Sequence, residues 1–383
     1  MGIVLSNDDV RIGQLQAFLK VDPGNIPLAC DLLDAYIQNG AFDDAIACIE
    51  SLPEDSRKAP GICFRSAQIA LSKGRYHESI QILQRIIAEG NEGIALWHDL
   101  AFAQLCIGNL QDAVKTLSDA ESKFGPDVDL AVLSARVNLF LANFEQALGF
   151  IEQALSLDLN NPVAMGLKAL ILLDMDNLPA ASDMAHKCLV DHPDQHEALL
   201  TAGTLSLWRQ NVVAAEEQFT RALSRFPNSG RALSGLGQVF MLRNDLPQAR
   251  VILEKAVLAM PDHIGTWHAL AWTQLLLSDI DAAEASYLKA YELDRNFADS
   301  HGGLALIHAL KGRTDSAEQA VKRAFRLNPD CATAIYAQSL LLSDAGNITE
   351  SEALIRKLML GNPSMQQMNP MEFATNLRKR IQP

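Results

Sequence analysis

Of the nine histidines in this sequence, three are spaced most like the ligands of a metal site. His192 and His196 are four residues apart, and His186 precedes them. Two histidines at that spacing share one face of a helix and can bind a zinc ion together. Pro193 stands between them, however, and proline interrupts a helix. The pair is therefore predicted to lie in a turn, and no metal or other cofactor is expected.

The rest of the sequence lacks the usual catalytic motifs. It contains no glycine-rich phosphate loop, no GxSxG or HExxH segment and no CxxC pair. The six cysteines are far apart, as is typical of buried thiols in a reducing compartment. The chain is therefore predicted not to be an enzyme.

Charge and hydropathy restrict the expected partners and compartment. The 383 residues carry a formal net charge of -14, and residues 1–190 hold 25 acidic side chains against 13 basic ones. Nucleic-acid binding requires a basic surface, so no nucleic-acid partner is expected. A basic partner segment would suit the acidic N-terminal half. No apolar run reaches the roughly 18 residues of a membrane span, and the first ten residues lack the basic segment of a secretory signal; a cytoplasmic protein is expected.

The elements that would position a binding site repeat every 34 residues. Ten turn residues recur at this interval, each between two apolar runs with helical spacing, and half of them are glycine. They are Gly40, Gly74, Gly108, Ala142, Asp176, Gln210, Asn244, Ser278, Gly312 and Gly346. The period predicts ten helix–turn–helix repeats over residues 26–365.

Small residues recur at fixed distances from these turns. Seven residues before the turn, nine of ten residues are small and the exception is Leu33; the series is Leu33, Ala67, Ala101, Ala135, Ala169, Gly203, Gly237, Ala271, Ala305 and Ser339. Five residues after the turn stand Ala45, Ser79, Ala113, Ala147, Ala181, Ala215, Ala249, Ala283, Ala317 and Ser351. Two antiparallel helices that pack closely need small side chains where they cross, which explains a glycine inside a helix at Gly237. Gly235 lies outside this column, and close packing within the pair does not explain it.

The two ends of the chain continue the pattern with single helices. We predict that residues 1–25 form an N-terminal segment that carries one capping helix. Residues 366–383 predict a C-terminal capping helix, with Phe373, Leu377 and Ile381 along one face.

This pattern resembles the tetratricopeptide repeat (TPR) family. Members have 34-residue units with small residues at positions 8 and 20 and often alanine at position 27. When each turn residue is counted as position 15, Trp97 and Trp267 fill position 4, which is large in the family, and alanines fill position 27 from Ala120 onwards in most repeats. The resemblance implies an all-α fold, a right-handed α-solenoid of antiparallel helix pairs with capping helices at both ends.

In this family the first helix of each unit lines a concave groove, through positions 2, 5, 9, 12 and 13. The resemblance therefore implies candidate binding residues at positions 5, 9 and 13. They are His98, Phe102, Val132, Arg136, Phe140, Leu170, Leu200, Trp208, Gln238, His268, Trp272, Leu306 and Tyr336. For Leu170 and Leu306 the favoured alternative is packing against the next repeat. For Phe140, Trp208 and Trp272 an exposed binding role is favoured.

Together these features predict a non-catalytic scaffold or chaperone for other proteins. It would hold an apolar peptide or helix of a partner in the groove, for example in bacterial secretion or assembly. The alternative is a regulatory or scaffolding subunit of an enzyme complex, such as one for polysaccharide or envelope synthesis. Both hypotheses predict a protein partner and no membrane span.

Overall fold

The computed structural model describes residues 7–360 and 369–382 of the chain. Within those ranges it contains 23 helices and no strand. None of the described helices is both long and apolar enough to cross a membrane. The predicted end of the repeat array at residue 365 lies outside the described residues.

Twenty helices form ten pairs in the predicted 34-residue register. The first helices of the pairs are α2 (Ile26–Gln38), α5 (Pro60–Ser72), α7 (Ile94–Cys106), α9 (Val128–Phe140), α11 (Pro162–Asp174), α13 (His196–Trp208), α15 (Gly230–Leu242), α17 (Ile264–Leu276), α19 (Ala298–Leu310) and α21 (Ala332–Asp344). The second helices are α3 (Phe42–Ser51), α6 (Tyr76–Ala88), α8 (Leu110–Phe124), α10 (Phe144–Leu157), α12 (Leu178–Asp191), α14 (Val212–Arg225), α16 (Leu246–Ala259), α18 (Ile280–Leu293), α20 (Thr314–Leu327) and α22 (Ile348–Leu360). The predicted all-α fold of consecutive helix pairs is confirmed.

Three described helices lie outside this pairing. They are α1 (Asn7–Val21), α4 (Glu54–Arg57) and α23 (Pro370–Ile381). The helices α1 and α23 correspond to the two single helices predicted at the ends, whereas the short helix α4 was not predicted. The side chain of Phe373 lies outside the described residues.

The chain divides into two compact lobes, an N-terminal lobe (Met1–Met184) and a C-terminal lobe (Ala185–Pro383). Inside each lobe paired helices pack on each other, as α9 does on α10 and α15 on α16, and several first helices also contact the first helix of the next pair. The helix α7 contacts α9 in the N-terminal lobe, and α13 contacts α15 in the C-terminal lobe. Contacts between first helices bring the candidate binding residues of successive repeats together.

All ten predicted turn residues adopt a positive φ angle, whether or not they are glycine. The turn at Gly108 shows the arrangement: its N–H donates to the Leu105 carbonyl at 2.9 Å, and the next N–H, of Asn109, donates to the Gln104 carbonyl at 2.9 Å. These two bonds form a Schellman motif, which satisfies the last carbonyls of the first helix and requires one left-handed residue. The second bond recurs in every repeat.

The two small-residue columns form the contact between paired helices. Every residue of both columns is buried, and the alanines among them are fully buried. At Gly237 an added Cβ atom would come within 2.6 Å of the Leu253 side chain on α16. The glycine is therefore required by the close approach of α15 to its partner helix, as the sequence predicted.

Gly235 has a different reason, which the sequence argument did not find. A Cβ atom there would lie 2.3 Å from Cζ of Phe219, a ring on α14 that is 1% exposed. The same ring meets Gly203 on α13, where a Cβ atom would be 2.7 Å away. Phe219 thus fills the space between two first helices, and glycine on both of them leaves room for the ring.

The same complementarity recurs two repeats later. A Cβ atom at Gly303 would lie 2.2 Å from the ring of Tyr287, which is fully buried on α18. Tyr287 and Phe219 occupy position 24 of their repeats, and Gly303 and Gly235 occupy position 6 of the following repeats. In the intervening repeats the pair is Leu253 with Ala269, a smaller side chain opposite a larger one.

We expect Ala142→Gly to stabilise the protein. Ala142 has a φ angle of 57°, where a residue with a Cβ atom costs roughly 1–2 kcal/mol, and the entropy of glycine in the unfolded chain offsets only part of this gain. Urea unfolding should show a gain of about 0.5–1 kcal/mol. The matched change Gly108→Ala, at a φ angle of 75°, should cause a loss of similar size. A loss for both variants would contradict this account of the turns.

We expect Gly235→Ala to lower the free energy of unfolding by about 1–3 kcal/mol because it overpacks the ring of Phe219. Adding Phe219→Leu recreates the Leu253–Ala269 combination of the next repeats. In a double-mutant cycle measured by urea unfolding, the two changes together should therefore cost clearly less than the sum of the single changes. Additive losses would show that the ring does not determine the glycine.

Candidate protein-binding surface

The most exposed apolar candidates stand at position 13, the last residue of a first helix. Phe140 is 71% exposed and Trp208 is 56% exposed. Leu242, at the same position of the next repeat, is 57% exposed and was missed by the sequence argument, although a complete reading of position 13 would have found it. Because the chain turns left-handed two residues later, the second helix does not cover these side chains.

Position 9 lies about one helical turn earlier and is less accessible. Phe102 is 38% exposed, whereas Leu170 and Leu306 are buried, as in the alternative that assigns them to packing. Three further candidates at this position are half-buried: Arg136, Gln238 and Trp272. Only part of this column is available to a ligand in the described conformation.

Position 5 faces the neighbouring repeat rather than solvent. Val132, Leu200 and Tyr336 are buried there, and His98 and His268 are half-buried. His268 illustrates the reason: its Nε2 atom lies 3.0 Å from the Ser300 hydroxyl of the next repeat. The His268 side chain therefore takes part in the contact between two first helices. The residue type at position 5 alone does not reveal this contact.

Polar contacts join the first helices at the start of the N-terminal lobe. Arg65 donates to the Asp34 carboxylate at 2.5 Å, and Gln68 donates to the Asp99 carboxylate at 3.2 Å. Each contact links position 9 of one repeat to position 6 of the next. The charge of Asp34 is compensated by this pairing, so the acidic excess of the lobe is not fully available to a partner on this surface.

The C-terminal helix α23 contacts the ends of several first helices in the C-terminal lobe. We call the position-13 residues of this lobe the helix-end row; they are Trp208, Leu242, Leu276, Leu310 and Asp344. Arg378 of α23 forms an ion pair with Asp344 at 2.6 Å, and the Gln382 side chain donates to the Leu310 carbonyl at 2.7 Å. The sequence predicted a cap on the last repeat, and the observed contacts extend further along the row.

The far end of α23 approaches the turns of two earlier repeats. The Ser278 hydroxyl donates to the Arg380 carbonyl at 2.9 Å, and the Arg380 side chain donates to the Asn244 side chain. Ser278, the donor, and Asn244, the acceptor, are both turn residues at position 15 of their repeats. The last turn of α23 and the residue after it therefore contact repeats seven to ten, whereas the side chains of Trp208 and Leu242 remain more than half exposed.

The next contacts are those of histidine and cysteine side chains, the residue types that most often bind metals. His196 lies 3.0 Å from the Ser229 hydroxyl through Nε2 and packs against the Phe226 ring. No group of three His, Cys, Asp or Glu side chains in the described ranges is placed to hold a metal ion. The prediction that the thiols are buried is wrong for Cys106, which is exposed because it ends α7 at position 13.

Comparisons with known proteins agree with this architecture. One tetratricopeptide repeat profile matches residues 209–272, and a second matches residues 30–94, 268–330 and 311–359. The chain is a tetratricopeptide repeat protein. Among curated proteins, none matches the sequence.

Several solved structures are similar to this TPR chain. An IFIT1 monomeric mutant with Gppp-AAAA is 15% identical, over 99% of this chain and 96% of that chain, with a TM-score of 0.57. The human IFIT1 dimer with PPP-AAAA is 16% identical, over 97% and 95%, with a TM-score of 0.56. A tetratricopeptide repeat protein from Parabacteroides merdae is 18% identical, over 65% and 98%, with a TM-score of 0.47. At these identities the likeness to IFIT1 shows the fold alone.

We expect His268 to make the TPR chain less stable in acid. Burial lowers the pKa of His268, and the nearby Asp299 carboxylate opposes this shift without cancelling it. The unfolded chain then binds the proton more readily than the folded chain, so this contribution is present above about pH 6.5 and is lost as the pH falls below it.

Urea unfolding of the native chain and of His268→Gln at about pH 7.5 and about pH 5.5 checks this prediction. The native chain should lose more stability on acidification than the variant, because glutamine does not titrate. Equal losses would show that the folded environment does not disfavour the charged imidazole.

Proposed function

We propose that this TPR chain is a non-catalytic scaffold that binds an apolar helical segment of a partner protein at the uncovered end of the helix-end row. One observation carries the proposal. Trp208 and Leu242 are equivalent residues of successive repeats, both are more than half exposed, and their helices α13 and α15 are in contact. Adjacent exposed apolar side chains mark interaction sites, and tryptophan is enriched among residues that dominate binding.

The spacing of the two residues suits a helix as the ligand. Axes of packed helices are about 8–10 Å apart, and residues seven apart on one helix are separated by about 10.5 Å along its axis. A partner helix that crosses the ends of α13 and α15 can therefore place side chains i and i+7 against Trp208 and Leu242. Apolar side chains at i+3 or i+4 would fill the space between them.

Two narrower features extend the proposal. The acidic excess of residues 1–190 favours a second contact with a basic segment of the same partner, one that weakens as salt is added. A chaperone for secretion or assembly would use such a surface to hold a client's apolar helix out of water. Asp34 and Asp99 are already hydrogen-bonded to Arg65 and Gln68. The attraction for a basic segment would therefore come from the other exposed carboxylates of residues 1–190.

The test compares two double variants that remove apolar side chains from the same two repeats. Trp208→Ala/Leu242→Ala alters the first helices. The control Val213→Ala/Leu258→Ala alters residues on second helices that are 71% and 82% exposed. Partners captured from native lysate are quantified by mass spectrometry, and thermal melts check the fold.

We expect the first variant to weaken binding of the captured partners by about 30-fold or more, which corresponds to about 2 kcal/mol at a dominant anchor. The control should capture them normally, and both melts should stay near that of the native chain. Equal capture by both variants would refute the proposed surface, as would a collapse of the melt in the first variant alone.

A further inference from the structure

The helix α23 already makes the kind of contact that the proposed partner helix would make. Its buried side chains include Ala374, 7% exposed, and Ile381, fully buried. These two residues are seven apart, so they lie on the same face of α23. Leu377, between them, packs against the same apolar cluster as Tyr336 and Leu340.

Residues at the same repeat position differ in exposure between repeats near α23 and repeats away from it. At position 13, Leu242 is 57% exposed, whereas Leu310 is 7% exposed. In the last two repeats Leu306, Tyr336 and Leu340 are also buried within the cluster that contains Ile381. Ala374, Leu377 and Ile381 of α23 belong to this cluster, so the apolar surface that these three side chains cover would meet water if α23 left without another apolar segment replacing it.

The polar contacts of α23 are those of an exchangeable ligand. The side chains of Arg378 and Asp344 are 38% and 49% exposed, and ion pairs at such exposure contribute little to stability. The Ser278 hydroxyl donates to the Arg380 carbonyl, and the backbone of a second helix could accept this bond equally. The Gln382 side chain donates to the Leu310 carbonyl, a bond that a second helix makes only with a donor side chain at that place. The Tyr336 hydroxyl donates to the Ala374 carbonyl at 3.3 Å, and like the Ser278 bond it does not select a side chain.

We propose that α23 is an internal occupant of the part of the helix-end row that adjoins Trp208 and Leu242, and that a partner helix displaces it from there. This inference rests on the proposed function and names its regulation and the chemistry of the ligand. The partner segment is an amphipathic helix with apolar side chains at i, i+3 or i+4 and i+7, and with a basic residue that pairs with Asp344. On binding, it takes the place of α23 at its contacts with repeats seven to ten, next to the exposed side chains of Trp208 and Leu242.

Covalent attachment gives α23 an advantage over any free segment. A segment joined by a short connection acts at an effective concentration of order millimolar. A free helix of the same sequence therefore binds the native chain weakly, and it binds tightly only when the internal copy is weakened. This difference makes the proposal measurable with the α23 sequence itself as the probe.

The experiment uses the full chain and a fluorescein-labelled peptide of residues 369–383, followed by fluorescence anisotropy. Ile381→Asp places a charge at a buried site of the internal helix, and we expect the peptide to bind this variant at least tenfold more tightly than the native chain. Leu258→Asp, on the exposed face of α16, is the matched control and should bind like the native chain. Equal affinity for all three chains, or binding to none while Ile381→Asp keeps native helix content, would overturn the proposal.

A second pair of variants leaves every buried side chain intact. Arg378→Asp breaks the ion pair with Asp344 inside the chain, and we expect it to tighten peptide binding several-fold. Adding Asp344→Arg restores the pair inside the chain and repels Arg378 of the peptide, so the gain should disappear. A gain that persists in the double variant would show that the peptide binds elsewhere, which also overturns the proposal.

These outcomes are separable from those of the proposed function. If partner capture depends on Trp208 and Leu242 while the peptide discriminates none of the α23 variants, the partner surface stands and the displacement of α23 is refuted. If the peptide exchanges as expected but no captured protein depends on Trp208 and Leu242, the proposed function fails at that surface.

Discussion

The structure depends on the close approach of two helices at small buried side chains in every repeat. Because both columns are buried, the two helices of a pair approach each other closely where they cross. The left-handed turn that follows is then determined by geometry, and non-glycine residues such as Ala142 and Gln210 accept it. Larger side chains are accommodated between repeats, where Phe219 and Tyr287 fill space left by glycines of the next first helix.

This packing also determines which side chains are left for binding. Positions 5 and 8 of a first helix face neighbouring helices, whereas position 13 ends the helix just before the chain reverses. Phe140, Trp208 and Leu242 are exposed for this reason. In the last two repeats Leu310 stands at position 13, and Leu306 and Leu340 stand at position 9. All three are buried in one apolar cluster with Ala374 and Ile381 of α23. A surface that already holds one amphipathic helix is suited to hold another.

The sequence predicted the helix pairs, the turn positions and the buried small residues because each follows from a contact within one repeat. Apart from the packing of Leu170 and Leu306, it did not predict contacts between repeats. His268 was assigned to the groove from its position alone, yet it bonds to Ser300 of the next repeat. Gly235 stayed unexplained because its partner, Phe219, belongs to the preceding repeat.

The extent of α23 along the row is a similar case. Its apolar stripe predicted a covering helix, but the bonds to Ser278 and Asn244 depend on tertiary placement, which no local pattern encodes. One sequence signal was available. Large apolar residues fill position 9 or position 13 in the last two repeats, at Leu306, Leu310 and Leu340, and an uncovered row of this kind would be unfavourable in water.

Hydroxyl-radical footprinting of the intact chain tests the central claim most directly, because it reports the exposure of covered and uncovered side chains in one sample. After correction for intrinsic reactivity, Trp208 and Leu242 should be modified quickly, whereas Leu310 and Tyr336 should be protected. Protection of all four side chains would mean that the row is covered throughout. Rapid modification of Tyr336 and Leu310 in the native chain would mean that α23 does not occupy the surface, and either result would contradict the account.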